Sequence, residues 1–103
     1  MRAALIGVVA ASALMFVGNV QADAALATSS GCLNCHQVEV KTVGPALNAI
    51  AEKYAGQDGA ADYLAGKIKN GSVDVWGPIP MPANAQVSDD NAKVLADFIL
   101  SLN

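Results

Sequence analysis

The chain has 103 residues, 53% of them hydrophobic, and sets nine acidic side chains against six basic ones for a net charge of −3. That length holds one domain. The acidic balance excludes the broad basic face that nucleic acid binding demands, and leaves protein partners open.

The first element is an export signal. Arg2 is the only charge before Asp23, Leu5 to Val17 is apolar apart from Gly7 and Ser12, and Val20-Gln21-Ala22 places small residues where a signal peptidase reads. This is the order of a secretory signal peptide, expected over residues 1–22 and cleaved after Ala22. Ala22-Asp23-Ala24 offers a second cut. A retained anchor is the alternative, but a spanning helix needs about 20 apolar residues, and the run is shorter. Export of this kind predicts a periplasmic protein with no membrane anchor. The domain is then residues 23–103, and losing Arg2 takes its charge to −4. So short a domain builds a thin core and commonly leans on a metal, a disulfide or a cofactor.

The fold expected of residues 23–103 is all-α. A short first helix runs from near Asp23 to Gly31, with Leu26 as its main apolar anchor. Leu47, Ile50, Ala51 and Tyr54 repeat at i, i+3, i+4, i+7 and predict a second helix. Ala60, Tyr63, Leu64 and Ile68 form one face of a third, which Asn70-Gly71 ends. For the last helix, Ser88 can cap the start, Asp89 and Asp90 suit the positive end of the dipole, and Val94, Leu95, Phe98, Ile99 and Leu102 make its stripe. Between the third and last helices lies Gly71 to Val87, with prolines alternating through Gly77-Pro78-Ile79-Pro80-Met81-Pro82. Proline fixes φ and gives no N–H, so this is a stiff loop that should cover something.

Gly31-Cys32-Leu33-Asn34-Cys35-His36 contains C-x-x-C-H, the attachment pattern of c-type haem. Residues i and i+3 of a helical turn share a face. Cys32 and Cys35 can therefore form thioethers with the two vinyl groups on one porphyrin edge, while His36 turns its imidazole to the iron. One haem c, held covalently, would also supply the core that a small domain lacks. Zinc needs four ligands, and two cysteines with one histidine do not provide them. A thiol–disulfide catalyst would set C-x-x-C beside a βαβ pattern, which is absent. A disulfide closing so tiny a loop stabilises little.

The second axial ligand follows by elimination. Of three methionines, Met1 and Met15 leave with the signal peptide, and His36 is the chain's one histidine. Met81 remains. A lone Met is commonly core filler, but a proline-flanked loop is an odd place for filler. His36 and Met81 together would fill both axial positions of the iron, and a thioether raises the reduction potential. That describes an electron carrier rather than an enzyme. Two other readings stay open at this point: a ligand-binding haem protein with five-coordinate iron, and a thiol oxidoreductase using Cys32 and Cys35.

The motif from Gly31 to His36, Val43-Gly44-Pro45, Val75-Trp76 through Met81-Pro82 and the terminal amphipathic helix jointly resemble the small bacterial class I monohaem cytochromes c, the cytochrome c-551/c-552 group. The resemblance covers the whole of residues 23–103. It implies about four helices wrapped around one covalent haem, with Leu26 and Phe98 near the crossing of the first and last. It implies that the Pro45 carbonyl accepts the Nδ1–H of His36, that the Trp76 indole donates to a haem propionate, and that Lys67 assists where relatives carry arginine. Most of the Trp76 ring is expected in the core. Asn84 matches a residue that contacts the methionine ligand, and Ala83 replaces a second proline of many relatives, loosening the loop slightly. The implied function is single-electron transfer in respiration, from a membrane cytochrome complex to a terminal oxidase or nitrite reductase. Such redox encounters bury little surface, below about 1,200 Å². Monomer is the default state. A local patch containing Lys41 is a candidate contact.

Overall fold

The computed structural model describes residues 23–103; the signal peptide expected over 1–22 lies outside them. Helix α1 is described from residue 23 to residue 29. A single 3-10 turn, Cys32–Asn34, comes next, then α2 (Leu47–Tyr54), α3 (Ala60–Asn70) and α4 (Asp89–Leu100). Among the described residues the extended pairing is one isolated antiparallel bridge, Ser72 with Met81.

Each helix has a local reason for its ends. Helix α3 stops at Gly71, whose φ of +80° is open to glycine and strained for other residues. Helix α4 starts at Ser88, whose Oγ accepts the Asn91 N–H at 3.1 Å, with Asp89 and Asp90 in the first turn. Replacing Ser88 with alanine is expected to lower stability by about 1 kcal/mol, read as a fall in Tm of about 4–8 °C for a domain of this size. Helix α2 differs: Ala46 precedes it and has no capping side chain. Its first N–H groups find partners in the preceding loop, Leu47 on the Gln37 carbonyl at 2.9 Å and Asn48 on that of Val38 at 3.0 Å.

Packing brings α4 across α3 and α2. Ala92, Leu95 and Ala96 of α4 meet Leu47, Ile50 and Tyr54 of α2 and Leu64, Ala65 and Ile68 of α3 in one core. All four residues expected to face inward from α2 are buried. Helix α1 differs from expectation. Ala27, only 3% exposed, is its deepest residue, and Leu26 is partly buried. A methyl group lets the α1 backbone come close in a tightly packed interior, and Leu26 then covers the edge. Leu26 and Phe98 both pack on the core from partly buried positions.

Tyr63 shares the apolar stripe of α3, and its ring lies 5.3 Å from that of Tyr54, tilted by 41°, an arrangement favoured between aromatic rings on neighbouring helices. Two ion pairs tie α3 to α4, Lys69–Asp89 at 3.4 Å and Lys93–Asp62 at 3.2 Å. Both involve exposed partners, so each contributes at most about 1 kcal/mol.

Candidate cofactor site

The helices leave a cleft lined by the 3-10 turn, the loop behind His36, the inner faces of α2 to α4 and the proline-rich loop. Leu47, Ile50, Leu64, Ile68, Leu95 and Phe98 give it apolar walls.

The cysteines sit at one wall because Gly31, at φ +82°, turns the chain out of α1 into the 3-10 turn. In that turn side chains at i and i+3 eclipse. Cys32 and Cys35 are three apart and both line the cleft. The His36 N–H donates to the Cys32 carbonyl at 3.0 Å, which fixes the histidine directly after the pair.

His36 is buried, at 9% exposure. Its Nδ1 lies 2.8 Å from the Pro45 carbonyl oxygen. A carbonyl only accepts, so Nδ1 carries a proton there, which leaves Nε2 as the ring nitrogen available to a metal. The ring rests on Gly44: a Cβ there would stand 2.6 Å from His36 Cε1 and 2.9 Å from Nδ1. Gly44-Pro45, which in sequence reads as a turn, thus forms a floor and an acceptor for the imidazole.

Met81 reaches the cleft from the proline-rich loop. Its backbone is pinned on both sides, its N–H to the Ser72 carbonyl at 2.9 Å and its carbonyl to the Ser72 N–H at 3.0 Å. Asn84 holds the loop to the end of α3. Its backbone N–H and its Nδ2 both donate to the Ile68 carbonyl, at 3.0 and 3.1 Å, and Nδ2 also reaches the Pro82 carbonyl at 3.4 Å. These bonds fix Asn84 beside the loop that carries Met81.

Trp76 lines the cleft. Lys53 Nζ lies 4.7 Å from its ring centroid, a cation–π contact. Lys53 had no distinct signal in the sequence, where a lysine near the end of a helix reads as a solvated charge. Lys67 also lines the cleft, with Nζ 5.2 Å from the Tyr63 ring centroid. Lys41 lines it too.

The residues fit a haem c. Two cysteines line one cleft with a buried imidazole whose Nε2 is left for a metal, a thioether is held on a pinned backbone, and the walls are apolar. They fit thiol catalysis poorly. Burial pushes the Cys32 thiol above its ordinary value, a backbone hydrogen bond opposing by less, whereas a thiol catalyst needs a depressed one.

The comparisons agree with this geometry. The cytochrome c family model matches residues 21–103. The chain is 62% identical over 102 residues to cytochrome c-552 of Nitrosomonas europaea, covering 99% of both chains. It is 58% identical over 73 residues to cytochrome c-551 of Pseudomonas aeruginosa, covering 71% of this chain and 69% of the other. The crystal structure of wild-type Nitrosomonas europaea cytochrome c552 superposes with a TM-score of 0.76 at 64% identity, over 78% of this chain and 99% of that one. The chain belongs to the cytochrome c family, with the all-α class I fold of its small c-551/c-552 members. Its cofactor is haem c, bound covalently through Cys32 and Cys35, and its general role is electron transport.

Proposed function

We propose that the protein is a periplasmic carrier of single electrons whose haem iron is held by His36 and Met81. When bound, the haem supplies an iron that takes up and releases one electron. The protein's own residues keep that change small. Pro45 holds the imidazole in one tautomer and one orientation, the role an acceptor plays behind a metal-bound histidine. The Ser72 pairing and the Asn84 clamp hold the Met81 backbone, so the thioether needs little rearrangement to serve either oxidation state. The apolar walls exclude water. Trp76 and Lys67 line the cleft and would offer an indole N–H and an ammonium to the cofactor's carboxylates.

With both His36 and Met81 holding the iron, no position on it would be left for a substrate, which would make the protein a carrier and not an enzyme. The donor is a membrane cytochrome complex and the acceptor a terminal oxidase or nitrite reductase, each met in short encounters by a monomer. The observation that carries the reading is that the chain's one histidine and the one methionine among residues 23–103 line the same cleft.

Visible spectra of the exported holoprotein test it. Covalent low-spin haem with the weak far-red band of Fe(III)–thioether bonding is expected, and Met81→Ala should abolish that band and admit carbon monoxide to the iron. A wild-type protein with covalent haem but no such band would overturn the ligation.

A further inference from the structure

The loop that carries the Gly44 floor and the Pro45 acceptor is tied back to the haem-attachment motif by an exposed side chain with no assigned role. Thr42 Oγ1 donates to the Cys35 carbonyl at 2.8 Å. The same carbonyl accepts the Gly44 N–H at 2.7 Å, and the Thr42 N–H returns to the Gly44 carbonyl at 3.1 Å. The two bonds to Cys35 tie residues 42–44 to the residue just before His36, and the one between Thr42 and Gly44 closes the turn on itself. Two of the three are backbone bonds that any sequence with this turn could make. The third belongs to the hydroxyl.

The position of these residues matters because Gly44 and Pro45 grip the imidazole. A Gly44 Cβ would fall 2.6 Å from the ring, so the backbone there is in full contact with it. The next carbonyl, that of Pro45, accepts the Nδ1 proton at 2.8 Å. Any drift of residues 42–44 away from Cys35 lifts the floor and lengthens that bond. A histidine's outer hydrogen bond sets how much electron density its other nitrogen gives a metal.

We propose that Thr42 is a positioning residue for the axial histidine: its hydroxyl, through the Cys35 carbonyl, holds the Gly44-Pro45 segment against the imidazole and so tunes the iron. The proposal rests on His36 being the iron ligand. Thr42→Val keeps shape and branching while removing the hydroxyl, and Thr42→Ser keeps the hydroxyl.

The experiment compares the three holoproteins by NMR exchange of the His36 Nδ1 proton, by reduction potential and by Tm. Losing one hydrogen bond should speed exchange in Thr42→Val by about two- to tenfold, and a weakened Nδ1–H bond makes Nε2 a poorer donor to Fe(III), so the potential should rise. Thr42→Ser should restore both. A valine variant with a lower Tm but wild-type exchange and potential would reduce Thr42 to a structural tie and overturn the proposal, as would wild-type values throughout. If the wild-type protein itself shows no iron-shifted His36 ring signals, the ligation reading fails instead, and that result is separate from any difference between variants.

Discussion

Gly44→Ala is expected to be among the most damaging single substitutions in the domain. The added methyl would stand 2.6 Å from Cε1, 2.9 Å from Nδ1 and 3.1 Å from Nε2 of His36. The ring has little room to retreat, since it is buried and bonded to Pro45. Overpacking of this kind costs about 1–3 kcal/mol. If the ring gives way, the Pro45 bond goes as well, for a further ~1 kcal/mol. The denaturant midpoint of the holoprotein should fall accordingly, and the His36 ring signals should move. An alanine variant with a wild-type midpoint and unmoved signals would mean that the imidazole does not rest on Gly44.

The second large effect is expected at Gly71. Its φ is +80° and its ψ 179°, a region essentially reserved for glycine and costing other residues about 1–3 kcal/mol. The space is closed as well. A Cβ would lie 2.6 Å from the Met81 carbonyl oxygen and 3.0 Å from the Ala83 nitrogen. Both are backbone atoms, so no side chain can swing aside. Gly71→Ala should therefore break the Ser72–Met81 pairing as well as strain the end of α3. On the proposed ligation its signature differs from that of Gly44→Ala: the far-red thioether band should weaken while the His36 ring signals persist. Loss of stability with the band intact would show that Met81 keeps its place without that pairing.

Much of this molecule is legible in its sequence. The C-x-x-C-H motif, the inward residues of α2, the Ser88 cap and the glycine end of α3 all rest on local patterns, and local patterns survive folding. The features that escape such a reading depend on contacts between distant segments. Periodicity ranks Leu26 above Ala27, because it weighs hydrophobicity and does not see how closely two helices approach. It places Tyr63 on the inner face of α3 but cannot see Tyr54 beside it on another helix. The contact of Trp76 with Lys53 joins the proline-rich loop to α2 and is likewise invisible to periodicity. For the site, the pairing of His36 with Pro45 is implied by family resemblance and is present in the geometry. The contacts of Gly44 and Gly71 and the tie from Thr42 have no distinct sequence signal. A glycine before a proline reads as a turn, and an exposed threonine as surface.

The manner in which α2 begins has a consequence for the order of folding. An eight-residue helix is too short to persist alone in water, and this one has no side chain to start it. Its first N–H groups depend on the carbonyls of Gln37 and Val38, which are in place only when the chain has already turned back behind His36. Helix and loop should then form as one cooperative unit, neither a stable nucleus without the other. In native-state hydrogen exchange the amides of Leu47 and Asn48 should open together with that of Gly44, in a single step shared by the helix and the segment that supports the histidine.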